Sequence, residues 1–158
     1  MRPVSALFAR ISGLDLRTPN SLSRLHALCT SLQEILQVRG GPSGELYVDE
    51  KGLIFNSVFG SRGSFHRDDP LRAVDSACAM DQLIASEGFS ASIGVATGHA
   101  LFCMVGSARR RQLMVHGAPV NRAARLMTAL ASGVACDAPT ERATRSSLHF
   151  EQRGTLQL

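Results

Sequence analysis

The segment Val115-His-Gly-Ala-Pro-Val-Asn-Arg-Ala-Ala-Arg-Leu-Met127 constrains this chain more than any other. Gly117 and Pro119 mark a turn that opens a helix, since proline has the φ of a first helical turn and no N–H to lose there. At about 100° per residue, Val120, Ala123, Ala124, Met127, Leu130 and Ala131 share one arc, the expected buried stripe. Asn121 and Arg125 fall together beside that arc, and Arg122 is expected on the opposite, solvated side. An amide and a guanidinium one turn apart suit a phosphorylated ligand, because arginine stays charged and its fork of donors matches phosphate oxygens. From geometry alone an ordinary solvated i,i+4 pair is the commoner arrangement.

Ahead of that segment the pattern alternates between strand and helix. Val4 to Ile11 is apolar on both faces, as in a central strand. Asn20 is the expected N-cap of a helix carrying Leu22, Leu25, Leu28, Cys29, Leu32, Ile35 and Leu36 at helical spacing, ended by Gly40-Gly41. Glu45 to Asp49 and Leu53 to Phe59 read as a hairpin around Lys51-Gly52. Asp68-Asp69-Pro70 opens a second helix with acids at its positive end. Ser90 to Thr97 and Ala100 to Val105 are expected as two strands meeting near Gly98, followed by the helix from Pro119 to about Leu130. A short strand near Val134 to Cys136 comes next, and the tail through Leu148-His-Phe150 is expected to be another strand. The order predicts an α+β fold: an antiparallel-rich sheet with its helices on one face, elaborated from a ferredoxin-like βαββαβ core.

Composition limits what such a fold can serve. The chain has 158 residues, enough for one domain with a real core, and residues 1–158 are read as a single domain. No apolar run approaches a membrane span, and Met1 to Arg10 has too short an apolar core for a secretory signal. Cys29, Cys78, Cys103 and Cys136 are far apart, which fits reduced thiols in a cytoplasmic protein better than disulfides or zinc. The net charge of +4 is nearly all arginine, but aromatics are only 5% of residues, and Tyr47, Phe55 and Phe102 make no base-stacking motif. Nucleic-acid binding is therefore not expected. The Arg109-Arg-Arg111 run reads as a solvated loop tip, and His99 and His116 have no metal-ligand spacing with any cysteine.

Several separate blocks, in one order, carry a resemblance across Pro3 to about Phe150. They are Arg2-Pro-Val, Asp49-Glu-Lys-Gly52 with Val58-Phe-Gly60, Ser92-Ile-Gly-Val-Ala-Thr-Gly98, Phe102-Cys-Met-Val-Gly106, Val115-His-Gly117 and Val120-Asn-Arg-Ala-Ala-Arg-Leu-Met127. On these the chain resembles the catalytic domain of class III nucleotidyl cyclases, most of all the second of the two cyclase domains in soluble adenylyl cyclase. The resemblance implies conversion of ATP to cyclic AMP and pyrophosphate, at the interface of two such domains, with two metal ions. It gives Asn121 the role of orienting the ribose and Arg125 that of stabilising charge growing on the α-phosphate.

The departures from the family pattern are as informative. The first metal-binding aspartate of the family aligns with Arg10 and the second with Leu53, and neither side chain offers the hard oxygen that Mg²⁺ requires. Asp15, Asp49 and Glu50 are substitutes only under a different register. At the nucleotide-binding positions, the purine-reading lysine aligns with Glu45 and its polar partner with Met114, next to Val115, which puts adenine specificity in doubt. The acid at the lysine position is reminiscent of guanylyl cyclases, but Met114 supplies no matching polar group.

Because a composite site takes its aspartates from one domain and its Asn/Arg pair from the other, a homodimer of this chain is expected to be inactive. A second cyclase domain, in the same longer chain or as a heterodimer, would supply the Mg²⁺ or Mn²⁺ site. The ending at Gln157-Leu158 is expected to reflect a domain taken from a longer protein. The alternative is a catalytically dead cyclase-like module for regulation or dimerisation, which Glu45 and Met114 favour.

Overall fold

The computed structural model describes every residue except 51, 62, 153 and 155–158. Ten elements follow one another: β1 (Arg2–Ser12), α1 (Ser21–Val38), β2 (Glu45–Asp49), β3 (Gly52–Phe59), α2 (Asp69–Ser86), β4 (Ser90–Gly106), β5 (Arg111–His116), α3 (Ala118–Ala129), β6 (Gly133–Cys136) and α4 (Ala138–Thr144). The strands form a mixed sheet in the order β2-β3-β1-β4-β5, with β6 parallel to the first half of β4. The α+β architecture agrees with the sequence pattern, and the hairpin of β2 and β3 lies where expected, although Lys51 in its turn falls outside the described residues.

Alternation along β1 and β4 divides the core. Leu7, Ala9 and Ile11 of β1 and Ala91, Ile93 and Val95 of β4 face one way and pack with Leu28, Leu32 and Leu36 of α1 and Ala77, Met80 and Ile84 of α2. Ala6 and Ala96 face the other way, under Ala123 and Leu126 of α3. The expectation that all helices share one face is therefore corrected: α3 covers the side opposite α1 and α2. Strand order, which no local periodicity encodes, decides this.

Three further expectations change. Residues 90–106 form one strand, not two, and the β1–β4 ladder runs unbroken past Gly98, which pairs with Val4. The glycines here make room for α3 instead of turning the chain: a Cβ on Gly94 would overlap the Ala123 carbonyl, and one on Gly98 would crowd Arg122 Nη2 at 3.1 Å. Arg111, read as part of a solvated loop tip, opens the strand Arg111–His116, which pairs with the outer half of β4. The tail holds helix α4 instead of a strand at 148–150: Asp137 caps it by accepting a bond from Thr140 N at 3.0 Å, and Pro139 sits in its first turn. Asn20 does precede α1, but in a left-handed conformation without a side-chain cap bond.

Candidate functional site

Helix α3 begins after Gly117, with Pro119 in its first turn and alanines at 118, 123 and 124 favouring propagation. Its buried residues are Pro119, Ala123, Leu126 and Met127. The stripe is thus rotated slightly from the expected arc: Leu126 joins it, and Ala131 lies beyond the helix. Asn121 and Arg125 are both exposed, one turn apart on the same side. Neither side chain makes a hydrogen bond or ion pair to another described residue. Their donors are free for a ligand.

Arg122, expected in solvent, is instead tied down. Its Nε donates to Asp137 Oδ2 at 2.9 Å and its Nη2 to the Thr97 carbonyl at 2.9 Å. The buried Asp137 carboxylate also accepts from Thr97 N, Thr140 N and Thr140 Oγ1 at Oδ1, and Thr97 Oγ1 lies 2.9 Å from Ser5 Oγ. Sequence reasoning missed this network because its links between elements join residues 15 to 92 apart. One local signal was legible: Asp137-Ala-Pro-Thr140 has the form of a helix start.

The positions where acids would be needed for a metal are absorbed into the fold. Arg10, half-buried on the α3 side of the sheet, donates Nη2 to the carbonyl of Leu130, the residue capping the C-terminus of α3, at 3.1 Å. Leu53 belongs to the core on the other face. Asp15, Asp49 and Glu50 are exposed. Among the described residues no group of three or more His, Cys, Asp or Glu could hold a metal ion.

The positions expected from the resemblance to read the base lie far apart in the strand order. Glu45 is exposed on the edge strand β2, opposite Asn56, whereas Met114 and Val115 lie on β5 opposite Cys103 and Phe102. Tyr47, two residues from Glu45 on β2, has its hydroxyl pKa raised. Partial burial is the main cause, opposed by a hydrogen bond with Asn56 and reinforced by Asp49 and Glu45. Along the β4–β5 ribbon, Leu101, Met104, Val105, Leu113 and Met114 are all exposed.

Comparison with known proteins gives the arrangement a lineage. No protein-family model matches the chain. Adenylate cyclase type 10 of Rattus norvegicus is 30% identical over 147 residues, covering 89% of this chain and 9% of the relative. The Homo sapiens protein of that name is 28% identical over 155 residues, covering 95% of this chain and 10% of the relative. The chain thus spans about a tenth of the curated relatives it matches. Among solved structures, the adenylyl cyclase CyaB from P. aeruginosa superposes with a TM-score of 0.83 at 17% identity, over 99% of this chain and 87% of that one. The catalytic core of a rhodopsin-guanylyl cyclase with converted specificity, in complex with ATPalphaS, gives 0.80 at 18% identity, over 99% and 89%. The guanylyl cyclase Cya2 gives 0.77 at 21% identity, over 99% and 85%. The chain is homologous to the cyclase domain of adenylate cyclase type 10 and has the fold of the class III nucleotidyl cyclase catalytic domains.

Proposed function

We propose that this chain is one half of a class III nucleotidyl cyclase. It contributes Asn121 and Arg125 to a site completed by a second cyclase domain, where ATP is converted to cyclic AMP and pyrophosphate. The observation carrying this reading is a contrast. The side chains of Asn121 and Arg125 stand exposed with no partner among the described residues, while Arg10 and Leu53 are engaged by their own domain. A guanidinium bonded to a carbonyl and a leucine in the core supply no oxygen donor, so Mg²⁺ or Mn²⁺ does not fit this half and would be held by the partner.

In the paired site, the Arg125 guanidinium would lie against the phosphate where negative charge accumulates, and the Asn121 amide would fix the sugar. A preorganised donor of that kind contributes about 3–4 kcal/mol to a transition state. Pairing is supported by the row of exposed apolar residues on the β4–β5 ribbon, which water alone covers in the single domain. Among the described residues no helix is long and apolar enough to cross a membrane.

The second reading is a regulatory or dimerisation module without chemistry, favoured by the acid at Glu45 and the thioether at Met114. The discriminating measurement is cyclic-nucleotide production with Mg²⁺ or Mn²⁺, offering ATP and GTP separately to this domain alone and to the domain fused to a metal-bearing cyclase domain. Silence alone with ATP-dependent activity in the pair, lost on Arg125→Ala, is the expected result. A heterodimer that forms but stays silent with both nucleotides would establish the regulatory reading, and activity in the isolated domain would overturn both.

A further inference from the structure

The centre of the surface under α3 is made of small residues. Ala6 and Ala96 lie beneath Ala123, Phe8 and Val58 pack only at its partly buried margin, and Gly94 lets the helix backbone approach the strand directly. Small side chains of this kind allow close contact but give few knobs to fix how far a helix slides or rotates. The opposite face of the same sheet is filled by Leu7, Phe55, Phe59, Leu32, Leu36 and Ile84. Polar ties therefore have more of the register of α3 to set.

Two arginines are placed to do so. Arg122 reaches from the N-terminal half of α3 to two acceptors on different elements, Asp137 Oδ2 ahead of α4 and the Thr97 carbonyl on β4, each at 2.9 Å. Asp137 is a firm anchor because Thr97 N and Thr140 also bond it, so the buried carboxylate is satisfied. At the other end, Arg10 of β1 donates to the Leu130 carbonyl, where a positive charge also meets the negative end of the helix dipole.

We propose that Arg122 and Arg10 are positioning residues that hold α3, and with it Asn121 and Arg125, in a fixed register on the sheet. This rests on the reading that Asn121 and Arg125 act on a nucleotide. The residue at the former metal position has thereby acquired a new role: Arg10 secures the helix that carries the transition-state pair. Misplacing a reacting group by an ångström costs roughly a hundredfold in rate, so the register is worth two charged ties.

The two ties make different demands on chemistry, and this gives the test. Arg122 must satisfy two acceptors lying in different directions, which a lysine ammonium on a single stem does not reproduce. Arg10 uses one N–H on one carbonyl, which a lysine can replace. Amide hydrogen exchange across residues 118–129 of the isolated domain is therefore measured for Arg122→Lys, Arg10→Met and Arg10→Lys. Exchange in α3 is expected to rise about tenfold in the first two and to stay near the parent in Arg10→Lys. In the paired assembly, Arg122→Lys and Arg10→Met are expected to lower kcat about tenfold with KM for ATP changed less than about twofold.

Unchanged exchange in both Arg122→Lys and Arg10→Met overturns the proposal whatever the activity. Faster exchange with an unaltered kcat in an active pair overturns the positioning role. A parent pair silent with ATP and GTP defeats the functional reading separately, and the exchange data then decide the ties alone.

Discussion

Leu53 of β3 faces Ile11 of β1 directly across the ladder, and only 6% of its surface is exposed. Its neighbour in register, Arg10, pairs with Ile54 and belongs to the other face. Restoring an acid at position 53 would therefore place a carboxyl among Ile11 and the residues packed around it, not beside position 10. Leu53→Asp is expected to destabilise the domain by about 3 kcal/mol or more without creating metal affinity. Burial would raise the new carboxyl's pKa above its unfolded value of about 4. The fold would then hold the proton more tightly than the unfolded chain, so the penalty is smallest at low pH and grows as pH rises. Urea unfolding at pH 4 and pH 7, with and without Mn²⁺, checks this. A variant as stable as the parent at pH 7 and further stabilised by Mn²⁺ would refute it.

Arg125 has the opposite character. It is exposed and its side chain makes no bond to another described residue, so Arg125→Ala is expected to change folding stability by no more than about 0.5 kcal/mol. In the paired enzyme the same change is expected to lower kcat by about 10²–10³-fold. Thermal melts of the isolated domain and turnover of the pair, measured on one preparation, separate the two effects. A large loss of stability would show that Arg125 serves the fold.

Much of this was legible in the chain, and the reasons for the remainder are physical. The 3.6-residue spacing in α1 and α2 and the turn-then-helix at Gly117 needed only local information. The pairing of Asn121 with Arg125 followed from one helical turn. Gly98 misled because glycine punctuates a strand either to turn it or to admit a neighbour, and only the position of α3 distinguishes the two. Arg122 was placed in solvent because its partner Asp137 stands 15 residues away on another element. The strand at Arg111–His116 hid because its stability comes from pairing with Leu101–Gly106, not from its own alternation.

Of the two glycines under α3, Gly94 makes the more exacting approach. A Cβ there would overlap the Ala123 carbonyl oxygen and lie 2.6 Å from Met127 N, both backbone atoms that no rotamer change can move. Gly94→Ala is expected to push α3 off the sheet and cost about 2 kcal/mol or more. The neighbouring Gly98→Ala, whose Cβ would meet the flexible end of Arg122 at 3.1 Å and the Pro119 ring at 3.5 Å, should be milder. Chemical denaturation of both variants gives the order, and an equal cost at the two sites would contradict close packing at Gly94.

Cys136, half-buried on β6, offers a chemical check on the same corner of the molecule. Burial pushes its thiol up from 9.0 to about 11, with the carboxylates of Asp137 and Glu141 reinforcing the shift. At pH 8 its thiolate is then about a thousandth of the population, against roughly a tenth for an unperturbed thiol at 9.0. Iodoacetamide labelling followed by peptide mass spectrometry should find Cys136 nearly inert at pH 8 and increasingly reactive toward pH 11. The folded chain holds this proton more tightly than the unfolded one. Its contribution to stability is therefore complete below about pH 9 and is lost as pH rises toward 11. Arg122→Ala removes the cation bonded to Asp137 and should leave that carboxylate's repulsion uncompensated, slowing Cys136 labelling further. Faster labelling of Cys136 in that variant would mean instead that the β6–α4 corner has opened to solvent, and that Arg122 secures this corner as well as α3.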